Sequence, residues 1–138
     1  MTATQGIGRL WKPVVNVTDL DEGEKFWCAL TGLSVRGRHG DESGEVFSIL
    51  VNAEDPADPI WMLLQLVPAV QTTWVGGTHC DLKVEDVAEA VRQTEEIGGV
   101  TIREPELYPD PRNPLLEWAV MRDPFGNEFC FVKGPLAT

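Results

Sequence analysis

Basic residues are scarce in this chain. Lysine and arginine together number 11 against 22 aspartates and glutamates, a formal net charge of −11 at pH 7. A surface of that sign repels a phosphate backbone, which excludes nucleic acid as a partner. It slightly favours cationic ligands. Long apolar runs are also missing. No segment approaches the roughly 20 apolar residues of a membrane helix, and no charged-then-apolar secretory leader opens the sequence. The expectation is a cytoplasmic protein with no membrane partner. Cysteine is sparse: Cys28, Cys80 and Cys130 are odd in number and show no CxxC spacing. That excludes a disulfide framework and predicts free thiols in a reducing compartment.

What is present suits a globular protein. The 138 residues, 43% apolar and 24% charged, predict one domain over 1–138 with a true core. The chain also contains a copy of itself. Residues 14–35, VVNVTDLDEGEKFWCALTGLSV, align without a gap on residues 81–102, DLKVEDVAEAVRQTEEIGGVTI. Val17 meets Val84, Asp19 meets Asp86, Glu22 meets Glu89 and Gly32 meets Gly99. Each half opens on a short alternating strand. Each then places an aspartate three residues before a glutamate, the pattern of a capped helix start. Leu20, Phe26, Trp27 and Leu30 form one apolar helix face; Val87, Ala90, Val91, Thr94 and Ile97 form the other. Glycine closes both helices, at Gly32 and at Gly98–Gly99.

Strand-like runs follow each helix: LSVRGR, EVFSILVN and IWMLLQLV in the first half, VTIRE, LEWAVMR and NEFCFV in the second. The predicted order is strand, helix and three strands, twice over: an α+β fold with modules at 10–67 and 77–133. AEDPADP is read as a turn-rich break, PAVQTTWVGG as the link between halves, and RGRHGDESG, with His39, as an exposed charged turn. Pro105, Pro109, Pro111 and Pro114 predict a loop before the seventh strand.

Side chains alternate across a strand, so faces can be read directly. Phe129 and Phe131 share one face; Glu128, Cys130 and Val132 share the other. In the first strand Pro13, Val15 and Val17 oppose Lys12, Val14 and Asn16. In the fourth, Met62, Leu64 and Leu66 oppose Trp61, Leu63 and Gln65. In the fifth, Cys80, Leu82 and Val84 oppose His79, Asp81 and Lys83. The apolar faces are expected under the helices. The mixed faces, with Lys12, Gln65, His79 and Cys130, read as the wall of a ligand cup.

The double βαβββ pattern, THCDLKVEDVAEAV at the second helix and RDPFGNEFCFV at the end resemble the vicinal oxygen chelate superfamily. That group includes glyoxalases, extradiol dioxygenases and bleomycin- and fosfomycin-resistance proteins. The resemblance covers roughly residues 10–133. It implies a cupped eight-stranded mixed sheet with helices on the convex face, and a homodimer with pockets where modules meet. It further places the four metal-ligand positions of metal-using members on Lys12, Gln65, His79 and Cys130.

An ammonium offers no lone pair, so Lys12 does not suit a metal. A thiolate at Cys130 turns a hard oxygen site soft. The expected cofactor is therefore none; the alternative is a divalent metal such as Zn, Ni or Fe on His79, Gln65 and Cys130. Beside a regulatory or partner-binding domain whose cup is filled by another chain's side chains, two functions compete. One is a metal-free binder of an aromatic or cationic small molecule, of the drug-resistance kind. Its ligand would be held by Lys12, Val14, Asn16, Trp61, Leu63, Gln65, His79, Trp118, Glu128 and Cys130, with Trp74 as a further aromatic wall. The other is a lyase, isomerase or dioxygenase with His79 as base, aided by Asp81 and Lys12. A reactive Cys130 thiol activated by Lys12 is a third chemical option, against a plain buried cysteine.

Overall fold

The computed structural model of the chain describes residues 11–68 and 79–136. Its elements run β1 (Val14–Val17), α1 (Leu20–Thr31), β2 (Ser34–Asp41), β3 (Gly44–Val51), β4 (Ile60–Leu66), β5 (Cys80–Lys83), α2 (Val87–Glu96), β6 (Val100–Tyr108), β7 (Leu116–Arg122) and β8 (Glu128–Lys133). The βαβββ order occurs twice, and the fold is α+β. The eight strands form two four-stranded mixed sheets, ordered β1-β4-β3-β2 and β5-β8-β7-β6. In each sheet the first and last strands of the module pair in parallel and the other pairs are antiparallel.

The helix starts form as their sequence demands. The Asp19 carboxylate accepts the Glu22 amide at 2.9 Å, and that of Asp86 accepts the Glu89 amide at 3.0 Å. Each bond satisfies a first-turn donor that the helix cannot pair internally. Gly32 ends α1 at φ 77°, a left-handed conformation that a side chain would resist. Gly23 serves close approach: a Cβ there would lie 2.9 Å from the Val17 side chain of β1.

Both sheets turn their apolar faces into a single core. Val15, Val17, Met62 and Leu64 enter it from the first module, Met121, Phe129 and Phe131 from the second. Helix α1 joins them. Phe26 and Trp27 meet Phe129 edge-on, at centroid separations of 6.2 and 5.5 Å. Each such fully buried side chain contributes about 1.5–3 kcal/mol by removal from water. A polar latch reinforces the contact. The buried Asp123 carboxylate accepts the Trp27 indole N–H at 3.0 Å, the Phe125 amide at 2.9 Å and the Asn127 amide at 2.7 Å. The Asn127 side chain donates both to Asp123 and, at 2.7 Å, to the Asn16 carbonyl in β1. The turn in DPFGN thus ties the second module to the first.

Several expectations change. His39 lies within β2, paired with Phe47, and not in a turn. The turn itself is two residues between β2 and β3, because the charged run is long enough to pair. Pro105 lies inside β6, not in the following loop. It fits there because the β6–β7 register shifts between Arg103 and Glu106, and β6 is an edge strand, so the missing N–H costs no ladder bond. Ile97 caps α2 and is 41% exposed, off the buried stripe. Trp74 and most of the link between modules lie outside the described residues.

Candidate functional site

With both apolar faces committed to one core, both mixed faces look outward. On the first sheet this open face is largely apolar. Val14 and Trp61 are 47% and 45% exposed. Leu63 lies beside Val14 on β1 and Ile49 on β3, and Gln65 lies between Asn16 and Phe47. Trp61 donates its indole N–H to Asp55 at 3.1 Å. Lys12 does not stand free at the strand's end. Its side chain is nearly buried and its Nζ lies 2.6 Å from Asp58 Oδ2. Asp55 and Asp58 both come from AEDPADP, which the sequence marks only as a turn.

The second sheet presents a polar face. His79 and Asp81 stand two residues apart on one side of the β5 edge, with His79 Nε2 3.0 Å from Asp81 Oδ1. Asp81 pairs in register with Cys130 of β8, and Cys130 with Val120 of β7. Although Cys130 belongs to the open face, it is fully buried. Burial, the nearby Asp81 and Glu128 charges and a hydrogen bond to Asp81 push its thiol up to about 12. Such a thiol is protonated at neutral pH and inert as a nucleophile. Lys12, in the other sheet and bound to Asp58, supplies no activation. The reactive-thiol expectation is therefore replaced by a buried cysteine; Cys28 and Cys80 are likewise free and shifted upward, chiefly by burial.

Trp118 carries a group of partners that strict alternation does not reveal. Its indole donates to Glu106 Oε1 at 3.1 Å, its ring meets Tyr108 at 4.8 Å, and the Arg103 guanidinium stands 5.9 Å over it. Arg103 also pairs with Glu106 at 3.1 Å. Arg103 and Glu106 are three residues apart, and only the bulge in β6 puts them on one face. Glu128 is exposed, opposite Arg122 in the ladder.

The structure therefore brings His79, Asp81 and Cys130 together and gathers Val14, Asn16, Leu63 and Gln65 on the other sheet. Lys12 ends at Asp58. A four-position divalent metal site drawn from Lys12, Gln65, His79 and Cys130 does not fit this arrangement: one member is an ammonium held by a carboxylate, and the set is divided between two outward faces.

The family model for the glyoxalase-like domain matches residues 13–132. No curated protein matches the chain. Among solved structures, the fosfomycin resistance protein FosX from Listeria monocytogenes superposes with a TM-score of 0.69 at 14% identity, over 95% of this chain and 97% of that one. A glyoxalase/bleomycin resistance protein from Albidiferax ferrireducens T118 gives 0.59 at 23% identity, over 91% and 98%. A bleomycin-binding protein complexed with bleomycin gives 0.59 at 18% identity, over 92% and 99%. At these identities the likeness is one of fold.

Proposed function

The chain belongs to the glyoxalase-like domain family, and from that premise we propose a small-molecule-binding protein of the drug-resistance kind, dimeric and cytoplasmic, with no catalytic metal at the family's four positions. The observation that carries this reading is the 2.6 Å ion pair between Lys12 and Asp58. It fills the first of those positions with a neutralised ammonium and leaves nothing there to grip a cation. The outward faces support a homodimer. A hollow walled by Trp61 and Leu63 on one side and His79 and Trp118 on the other requires a second chain to bring the two faces together. An apolar wall opposite a carboxylate-bearing wall suits a ligand with a planar or aromatic part and a positive charge. Free thiols accord with a reducing cytoplasm.

Thermal denaturation with bleomycin as probe tests the reading. At a hundredfold excess over Kd, binding adds about 2.7 kcal/mol of stability, and the compound should be recovered chemically unchanged. Chemical conversion of the probe, or no stabilisation by it or by planar cationic dyes, would sink the reading.

One contact favours a second reading, an isomerase or lyase acting without metal. Asp81 at 3.0 Å from His79 Nε2 would orient that imidazole as a base. In that case His79→Gln abolishes turnover and leaves probe affinity within about twofold; equal loss of both points back to simple binding.

A further inference from the structure

We infer that Trp118, Glu106 and Tyr108 form a recognition site for a planar cation, and that Arg103 fills it as a built-in stand-in which a ligand displaces. The site rests on the small-molecule-binding reading and fixes which part of the ligand this wall takes. The β6–β7 ladder assembles it. Glu106 is the register partner of Trp118, Tyr108 that of Leu116 and Arg103 that of Val120. Tyr108 and Arg103 therefore reach the indole from opposite directions along β7, and the register shift between Arg103 and Glu106 puts Arg103 on the shared face. The Tyr108 ring lies 4.8 Å from that of Trp118, and the Arg103 guanidinium stands 5.9 Å over it. Glu106 Oε1 accepts both the Trp118 indole N–H and one Arg103 N–H, each at 3.1 Å.

These contacts are the ones a flat cationic ligand requires. An aromatic face attracts positive charge, and a carboxylate beside it takes the N–H groups of an amidinium or arylammonium. Arg103 meets both requirements loosely. Its side chain is 57% exposed. Arg38 and Arg92 each grip one carboxylate with two nitrogens of the fork, on Glu24 and Glu89. Arg103 touches Glu106 with one nitrogen, and among the described residues Glu106 Oε2 accepts no hydrogen bond. The guanidinium also stands near the outer limit of a cation–π contact, about 6 Å from the ring centre. An exposed ion pair and an exposed cation–π contact each contribute little, so Arg103 covers the ring at small cost to its removal. Charge is conserved in the exchange: the ligand cation takes the place of the guanidinium on Glu106, and Arg103 swings into solvent.

Proflavine, a planar aromatic cation, and acridine, its parent, which is uncharged in mildly alkaline buffer, are the probes. Each is titrated with the full chain and followed by dye fluorescence. Clearing Arg103 from the ring is a cost shared by any flat occupant, so Arg103→Ala should tighten both dyes about fivefold. Arg112→Gln removes an equal charge from the exposed turn between β6 and β7 and should leave both affinities unchanged. In the Arg103→Ala chain, a further Glu106→Gln should loosen proflavine at least about fivefold and spare acridine, because glutamine still accepts the Trp118 N–H but carries no charge. Affinities unmoved by Arg103→Ala overturn the stand-in while the binding reading stands. Equal tightening by Arg112→Gln also overturns it, by tracing the gain to net charge. Acridine lost together with proflavine in the double variant would mean that Glu106 only props the indole, and overturns the cation site. No binding of either dye to the native chain or to Arg103→Ala overturns this site and the binding reading together.

Discussion

The two modules share a backbone plan and differ in what they place on it. Trp27 of α1 and Thr94 of α2 occupy the same place in the repeat, and both are buried, at 2% and 3% exposure. Glu24 and Val91 also correspond. Val91 is plain core, whereas Glu24 holds Arg38 at 2.9 Å and the buried Ser48 hydroxyl at 2.6 Å. The open faces diverge further, with Trp61, Leu63 and Ile49 on the first sheet against His79, Asp81, Glu106 and Arg103 on the second. Caps and periodicity repeat because they build the fold; the side chains between them are free to specialise. The first module sends two helix aromatics, Phe26 and Trp27, onto Phe129 of the second, and the second places polar chemistry on its open face.

The largest test of this asymmetry is truncation at the matched position. Trp27→Ala removes a buried ring that packs on Phe129 and an indole that satisfies Asp123, and should cost about 3–5 kcal/mol in urea denaturation. Thr94→Ala should cost about 1 kcal/mol. Equal losses would show that the joint between modules does not depend on α1.

Next in size is Glu24→Val, which gives the first module the residue of the second. Ser48 then loses the acceptor of its buried hydroxyl, at a cost of about 1–3 kcal/mol at pH 7. The pH dependence has a definite sign. Hydrogen bonding from Arg38 holds the Glu24 carboxyl below its ordinary 4.5, against an opposing push from burial. Its stabilisation is therefore complete above pH 4.5 and lost as pH falls through the lower folded value. Stability of the native chain should drop on that acid limb, and Glu24→Val should flatten it. Asp123 works in the opposite sense, because burial holds its carboxyl above its ordinary 3.8 despite four hydrogen bonds. A limb unchanged by Glu24→Val would mean other carboxylates set it.

The thiols offer a kinetic comparison of smaller effect. Cys130 is fully covered, while Cys28 and Cys80 are only partly so. In the metal-free native chain a thiol reagent should modify Cys130 last, and at the rate of unfolding; mass spectrometry of the labelled peptides reads the order. Early labelling of Cys130 would mean that the sheet edge at His79–Asp81 opens.

These contrasts also mark how far the residues alone could be read. The repeat, both aspartate caps and the buried face of β8 follow from local rules, because a cap acts over three residues and a strand has period two. The site was legible in halves. His79, Asp81 and Cys130 could be assigned a common face by counting. What holds Lys12 could not, since Asp58 lies 46 residues away and only the path of the 52–59 loop delivers it. The Trp118 group was hidden by one inserted residue in β6, which defeats counting beyond it. The latch was hidden differently: DPFGN reads as a turn, and nothing local says that its aspartate will meet an indole 96 residues earlier.

The smallest expected effect sets one open-face tryptophan against the other. Trp118 packs on Tyr108, lies under Arg103 and bonds Glu106. Trp61 is 45% exposed and has one indole bond, to Asp55. In a dilute single chain, Trp118→Ala should cost about 1–2 kcal/mol through aromatic and cation–π contacts. Trp61→Ala should cost only a few tenths, about the value of an exposed polar contact. That order should reverse once the first sheet's face is covered. A second chain adds apolar burial at Trp61, worth about 25 cal/mol per Å², and makes the penalty grow with protein concentration. Denaturation of both variants across a hundredfold concentration range therefore reads whether the two faces meet. A Trp61→Ala penalty that stays small and flat at every concentration would leave the first module's apolar face without a partner chain, and the two open faces as separate surfaces.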